Sequence, residues 1–185
     1  MRLFTGIALP EHIQTNLTRL IQRLRPTAQL NWSPIYNLHL TTKFIGEWPP
    51  ERLQELSSAL APVANRDPIN IVVGGIGWFP EARSPRVLYV GIKVGPELQS
   101  LAQETEDALA ALGVARESRK FSPHLTLARI KDPAVPLAPL RNSINQLEHV
   151  DFGTFTADAF HLYHSKPGPS GSIYSSLAEF PLVRQ

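Results

Sequence analysis

Two short segments of the chain carry the same pattern, a histidine followed two residues later by a threonine. The first is His39-Leu40-Thr41 and the second is His124-Leu125-Thr126. Residues two apart in a β-strand point to the same face, so each histidine projects together with its threonine, at a backbone separation of about 7 Å. If the repetition reflects two similar lobes, the two strands can face each other across a cleft. That cleft would hold two imidazoles and two hydroxyls.

This set of groups is suited to phosphodiester cleavage. Imidazole titrates near neutrality, so one ring can accept a proton while the other donates one. Threonine hydroxyls can donate hydrogen bonds to anionic oxygen. Two imidazoles flanking a phosphate could activate water on one side and protonate the departing sugar oxygen on the other. A catalytic zinc usually has three protein ligands, and the third is missing, so we predict no metal and no cofactor.

The composition narrows the remaining possibilities. The chain has 185 residues, no cysteine, and a net charge of +2 from 18 basic and 16 acidic side chains. Disulfides, thiol nucleophiles and thiolate metal sites are therefore excluded. So small a charge excess does not by itself indicate nucleic-acid binding. No apolar run approaches the roughly 20 residues of a membrane span, so we expect a cytoplasmic protein that forms a single domain over residues 1–185.

Short elements, interrupted often by proline and glycine, predict an α+β fold with mainly antiparallel strands. Helical spacing of apolar residues predicts helices after Pro10, near Pro50 and from Leu98 to Leu112, and a short one near Leu137–Leu147. Strands are predicted at Leu3–Ala8, Asn37–Ile45, Ile69–Trp78, Val87–Val94, His124–Ile130, Asp151–Tyr163 and Ser172–Leu182. Two loops, Phe79–Arg86 and Ser165–Gly171, lie between strands, and the second should be mobile.

The paired motifs and their surroundings resemble the two-histidine (2H) phosphoesterase superfamily. The chain is most similar to the LigT/ThpR-type RNA 2′,3′-cyclic phosphodiesterases, also called 2′-5′ RNA ligases. The resemblance covers nearly the whole chain. It is carried by Arg2–Pro10, Asn37–Glu47, Pro85–Gly91, Phe121–Arg129, Leu162–Ser165 and Tyr174.

The resemblance implies a bilobal, pseudo-symmetric fold, in which two mainly antiparallel sheets face a central cleft and the helices lie outside. It implies metal-independent hydrolysis of RNA 2′,3′-cyclic phosphate ends to 2′-phosphomonoesters, by a protein expected to be a monomer. By motif position, His39 would donate a proton to the leaving 3′-oxygen and His124 would activate water. Thr41 and Thr126 would hold the phosphate oxygens.

Two charged residues extend the predicted site. Arg129 matches an arginine found after the second motif in this family. It lies five residues beyond His124, so strict alternation puts it on the opposite face unless a bulge or the strand end intervenes. The same alternation places Lys43 on the face of His39 and Thr41, where it would bind substrate.

Several interpretations remain open at this level. The substrate could instead be a 2′-5′ RNA junction, ADP-ribose 1″,2″-cyclic phosphate or a cyclic dinucleotide, or the cleft could bind RNA ends without chemistry. His161 and His164, three apart in a strand, should point to opposite faces. Trp32, Trp78 and Phe79 could stack a terminal base or could simply pack within the lobes.

Overall fold

The computed structural model describes residues 1–185 and contains nine strands and four α-helices joined by short 3₁₀ turns. The helices are α1 (Glu11–Leu24), α2 (Leu53–Leu60), α3 (Pro96–Ala110) and α4 (Ala138–Asn145). The strands are β1 (Arg2–Ala8), β2 (Asn31–Trp32), β3 (His39–Glu47), β4 (Ile69–Phe79), β5 (Val87–Ile92), β6 (His124–Arg129), β7 (Asp151–Ala157), β8 (Ala159–Gly168) and β9 (Gly171–Pro181).

The strands form two sheets in which every paired neighbour is antiparallel. The first sheet has the order β3-β1-β8-β9 and the second has the order β2-β6-β5-β4-β7. The N-terminal strand β1 is thus central in the first sheet, where it pairs with both β3 and β8. The predicted α+β fold with mainly antiparallel strands is confirmed.

Local sequence explains where most of these elements begin and end. In α1, residues Ile13, Leu17 and Leu24 are fully buried, and the helix starts directly after Pro10 because proline is compatible with a helix start but not with its interior. Gly113 follows α3 with φ of +91°, a backbone conformation that glycine adopts without steric cost. The short helix predicted near Leu137–Leu147 is present as α4.

Two predicted segments differ from the structure. The single strand expected at Asp151–Tyr163 is divided at Asp158 into β7, which pairs with β4 in the second sheet, and β8, which pairs with β1 in the first. Its apolar alternation continues through the break, so the pattern alone could not show the change of sheet. The expected loop at Ser165–Gly171 belongs mostly to the β8–β9 hairpin, whose pairing extends to Gly168 opposite Gly171.

Each sheet has one buried face and one face that is partly open. Apolar residues of both sheets, among them Leu40, Leu125 and Phe160, belong to one continuous core together with the buried sides of the helices. On β3 and β6 the alternate residues, including His39 and His124, are only partly buried. β3 lies at the edge of the first sheet and approaches β6 of the second to within 8 Å between Cα atoms, so the two strands that carry the motifs are close together. No helix of the chain is long and apolar enough to span a membrane.

A β-bulge in β3 corrects the prediction made for Lys43. Gly6 pairs with Thr41 and Thr5 pairs with Lys43, so Thr42 is an extra residue on β3. An extra residue reverses the alternation beyond it. Lys43 therefore lies on the buried face and not beside His39, and the prediction that it binds substrate in the cleft is wrong.

Lys43 instead connects the first sheet to α3 and to the chain that precedes the second motif. Its ammonium lies 2.9 Å from a Glu106 carboxylate oxygen and donates to the Ala115 carbonyl at 2.7 Å. The same carboxylate accepts the backbone N–H of Glu117 at 2.8 Å. The Lys43 side chain is only 2% exposed, so these partners replace nearly all of its hydration.

Removal of the Glu106 carboxylate should therefore lower the free energy of unfolding by more than removal of the Lys43 ammonium does. We expect Glu106→Ala to lower the free energy of unfolding by about 3 kcal/mol, because a buried ammonium loses its counter-charge. Lys43→Met should cost clearly less, since Glu106 keeps the Glu117 N–H and some solvent contact. Urea denaturation of both variants measures the difference, with Arg52→Ala, which breaks an exposed ion pair with Glu55, as the control. Equal losses in the two buried-pair variants would contradict this account.

Candidate active site

The two histidines are oriented by the same hydrogen bond. The Nδ1 atom of His39 lies 2.7 Å from the Asn37 carbonyl oxygen, and that of His124 lies 2.9 Å from the Ser122 carbonyl oxygen. A carbonyl oxygen can only accept, so in each ring Nδ1 carries the hydrogen and donates it. Each Nε2 is then free to exchange a proton with a ligand, and the two motifs present it in the same way.

The two threonines share the faces of their histidines. Thr41 pairs with Gly6 and His39 with Ala8, while Thr126 pairs with Tyr89. Both threonine side chains are partly buried. The neighbouring Thr42 hydroxyl lies 2.7 Å from the Thr5 hydroxyl on the opposite, buried face. Thr41 and Thr126 thus lie with their histidines on the partly open faces.

A second bulge brings Arg129 to the face of His124. Tyr89 pairs with Thr126 and Leu88 pairs with Ala128, so Leu127 is the extra residue in β6. Arg129 then lies opposite Val87, which shares the open face of β5 with Tyr89, and its side chain is exposed. Strict alternation would have put Arg129 on the buried face, and the bulge reverses that.

Aromatic rings surround His39. Phe4 stacks on its imidazole with ring centroids 4.6 Å apart, Tyr163 lies at 5.5 Å, and Tyr174 meets it edge-on at 5.0 Å. Gly6 keeps this part of the sheet compact. A Cβ there would lie 2.8 Å from the Leu40 carbonyl oxygen and 3.4 Å from the imidazole.

Fewer rings surround His124. The Phe79 ring meets its imidazole edge-on at 4.9 Å and Tyr89 lies at 5.5 Å, with Phe79 stacked on Tyr89 at 4.2 Å. The Tyr89 ring lies directly over Gly77, where a Cβ would clash with it. A glycine is therefore required at position 77 for Tyr89 to lie against the sheet.

The β8–β9 hairpin explains why His39 is the more enclosed ring. Asn37 donates its side-chain N–H to the Ser172 carbonyl at 2.7 Å, which fastens β9 to the segment before β3. Tyr174 follows two residues later and also contacts Phe4 edge-on at 5.1 Å. The segment expected to be a mobile loop is thus part of the wall beside the first histidine.

Burial lowers the pKa of His39 from 6.5 to about 4, against the raising effect of its bond to the Asn37 carbonyl. The ring is therefore neutral near pH 7 in the free protein, and its Nε2 is an acceptor. Burial, assisted by Glu179, raises the pKa of Tyr163 to about 12, so that hydroxyl remains a donor. A phosphate anion beside Nε2 would raise the pKa of His39, because opposite charge favours the protonated form.

Other aromatic and histidine residues have different positions. Of the three rings proposed for base stacking, Phe79 belongs to the site, whereas Trp78 packs under the Arg141 guanidinium at 4.7 Å. His161 pairs with Gly6 and His164 with Leu3, so the two lie on opposite faces of β8.

Sequence reasoning gave no role to Phe4, Tyr89, Tyr163 or Tyr174. Their strands and pairing partners are distant in the chain, and nothing in their spacing signals a shared site. All four fall within the segments that carry the family resemblance, and that was the only available signal.

Comparison with known proteins agrees with this arrangement. A family model described as LigT like Phosphoesterase matches residues 7–89 and 91–174. The RNA 2′,3′-cyclic phosphodiesterase of Methanocaldococcus jannaschii is 32% identical over 180 residues, which cover 97% of this chain and 100% of that protein. The protein of the same name from Thermus thermophilus is 30% identical over 190 residues, covering 98% and 90%.

Solved structures show the same fold. A protein from Thermus thermophilus superposes with a TM-score of 0.82 at 30% identity, covering 100% of this chain and 98% of that one. Escherichia coli LigT complexed with 3′-AMP gives a TM-score of 0.80 at 26% identity, covering 98% and 97%. The expected bilobal architecture, with two antiparallel sheets, is confirmed.

The enclosure of His39 predicts an unusual titration. We expect the His39 ring in the free protein to titrate near pH 4 by NMR, and Tyr174→Ala to raise its pKa toward 6.5 because water gains access to the imidazole. Tyr36→Ala is the matched control, since Tyr36 is 73% exposed and is not among the rings that contact His39. A His39 pKa near 6.5 in the unmodified protein would contradict the enclosure.

The same shift predicts the pH dependence of stability. The unfolded chain binds a proton at His39 near pH 6.5, whereas the folded chain does so only near pH 4. Between those values the unfolded state holds more protons, so the free energy of unfolding should fall as the pH is lowered from about 6.5 to about 4. Denaturation curves across that range should show a weaker dependence in His39→Gln, which cannot titrate. An unchanged pH dependence in His39→Gln would show that other groups cause the loss of stability at low pH.

Proposed function

The chain belongs to the LigT-like phosphoesterase family, and on that premise we propose that it hydrolyses RNA 2′,3′-cyclic phosphate ends to 2′-phosphomonoesters. The observation that carries the proposal is the duplicated geometry of His39 and His124. In each, a backbone carbonyl holds Nδ1, and Nε2 is left for a ligand on an open face. The names of the relatives from Methanocaldococcus jannaschii and Thermus thermophilus support the same activity.

The proposed reaction is an in-line displacement at phosphorus. The Nε2 of His124 takes a proton from water, whose oxygen forms the new bond to phosphorus. The bond from phosphorus to the 3′-oxygen breaks, and His39 supplies the proton to that oxygen. The bond to the 2′-oxygen remains, which gives the 2′-phosphomonoester. Each proton transfer of this kind contributes about 10²–10⁴-fold to a rate.

The acidic role of His39 depends on the substrate. In the free protein burial keeps this ring neutral, with a pKa of about 4. The cyclic phosphate carries a negative charge, and its approach to Nε2 favours the imidazolium. Binding should therefore be accompanied by proton uptake at His39. We assign the base to His124, because its Nε2 is left free by the hydrogen bond from Nδ1 to the Ser122 carbonyl.

The threonines complete the proposed phosphate site. Thr41 and Thr126 share the faces of the two histidines, and we assign their hydroxyls as donors to the two non-bridging oxygens. As negative charge grows on those oxygens toward the transition state, the hydrogen bonds strengthen. This arrangement involves only side chains of β3 and β6.

The test is product identification from a short RNA with a 2′,3′-cyclic phosphate end, incubated with the protein in EDTA. We expect a 2′-phosphate end and full activity in the chelator. His39→Ala and His124→Ala should each lower kcat by about 10²–10⁴-fold, since each removes one proton transfer. His149→Ala, at an exposed histidine outside the site, is the control and should leave kcat unchanged.

Three results would overturn the proposal. A 3′-phosphate product would place the bond cleavage at the other oxygen. An unchanged kcat in either histidine variant would show that this histidine does not transfer a proton in the reaction. Tight RNA binding with no cleavage of any cyclic-phosphate substrate would identify an RNA-end binding protein instead.

A further inference from the structure

A basic groove lies at the end of β6 away from His124. We call it the β6 groove. It is a concavity of about 580 Å³ whose lining includes Arg25, Gln29, Asn31, Trp32, Arg129 and Lys131. It is formed where the segment after α1 passes beside β6, through the pairing of Asn31 with Arg129 and of Trp32 with Ala128.

The charges of this groove favour an anion. Arg25, Arg129 and Lys131 are all exposed, and no carboxylate lies within ion-pair distance of any of them. The single acid in the lining, Asp132, accepts the Ala134 backbone N–H at 2.9 Å. Three positively charged side chains around one concavity raise the local concentration of anions.

An indole that packs in part against the core also lines this groove. Trp32 lines the groove and donates its Nε1–H to the Ala28 carbonyl at 3.1 Å, which fixes the ring. Flat aromatic surfaces beside a cationic track are the combination that binds single-stranded nucleic acid, because the bases stack and the phosphates pair. An acidic peptide would use the cations but would have no comparable use for the indole.

The groove and the candidate active site lie along the same strand. His124, Thr126 and Arg129 share the open face of β6 because of the bulge at Leu127. Because Leu127 is an extra residue, His124 and Arg129 lie four ladder steps apart, at a backbone separation of about 13 Å. Groove residues beyond Arg129, such as Lys131, would therefore meet a different part of a ligand from the group between the histidines.

The corresponding place in the other lobe is not basic. Phe44 is five residues beyond His39, as Arg129 is five beyond His124, and each follows the same kind of bulge. Phe44 is 60% exposed, and its ring lies 6.2 Å from that of Phe4. A polyanion extending from the cleft therefore gains charge contacts along β6 and none at the equivalent position along β3.

We propose that the β6 groove binds the RNA strand on the 5′ side of the cyclic phosphate end, with Arg25 and Lys131 at backbone phosphates and Trp32 against a base. This inference rests on the proposed hydrolysis of RNA ends and specifies its substrate as an oligonucleotide. The groove binds the part of the strand that a mononucleotide lacks.

The experiment compares a nucleoside 2′,3′-cyclic monophosphate with a six-nucleotide RNA that carries the same cyclic end. In the Arg25→Ala/Lys131→Ala variant we expect KM for the oligonucleotide to rise about tenfold, while kcat/KM for the mononucleotide changes less than twofold. The slope of log kcat/KM against log salt for the oligonucleotide should become shallower by about 1.4, since about 0.7 is lost per phosphate contact on a single strand. Arg184→Ala, which removes an exposed arginine paired with Asp67, is the control for loss of a surface cation outside the groove.

Equal effects of the double variant on both substrates, or no effect on either, would overturn the groove assignment. Fluorescence anisotropy with a labelled RNA ending in a 2′-phosphate gives a measurement that does not depend on hydrolysis. If neither substrate is cleaved, the proposed function fails, but weaker RNA binding by the double variant than by Arg184→Ala would still support the groove. A polyglutamate peptide that binds as tightly as the RNA at the same salt concentration would overturn it in favour of an acidic protein partner.

Discussion

The candidate site depends on one interaction made twice, the hydrogen bond from a histidine Nδ1 to the carbonyl two residues earlier in the chain. It fixes the ring and its tautomer together, because a carbonyl can only accept. With Nδ1 occupied, Nε2 is the only nitrogen that can exchange a proton with a ligand. Both histidines are the first residues of their strands, where the preceding backbone still turns enough to bring its carbonyl to the ring.

The two lobes repeat this geometry and then differ in what surrounds it. Equivalent bulges follow the two motifs, at Thr42 and at Leu127. The residue at position +4 is buried in both lobes, as Lys43 in one and Ala128 in the other. The residue at position +5 faces outward in both, as Phe44 and Arg129. The repeated backbone thus supplies the two proton-transfer groups, while the differing side chains make one lobe aromatic and the other cationic.

Enclosure of the first histidine is a consequence of how the chain closes. β8 returns to the first sheet beside β1, and its hairpin with β9 is fastened to Asn37 through the Ser172 carbonyl. That contact brings Tyr174 against His39 and removes water from the ring, which lowers its pKa. The second histidine is contacted only edge-on, by the Phe79 and Tyr89 rings of β4 and β5. Two side chains oriented by the same kind of hydrogen bond therefore lie in different environments.

The amino-acid sequence by itself determined the two motifs, the pairing of each histidine with its threonine on one face, and the alternation of short strands with helices. These follow from local periodicity, which is set by backbone geometry within a few residues. The tertiary structure alone decided the faces of Lys43 and Arg129, because one extra residue in a strand reverses its alternation and depends on pairing with a distant strand. It also decided that β7 and β8 belong to different sheets and that Phe4, Tyr163 and Tyr174 surround His39. Those contacts join residues far apart in the chain, and no local pattern specifies them.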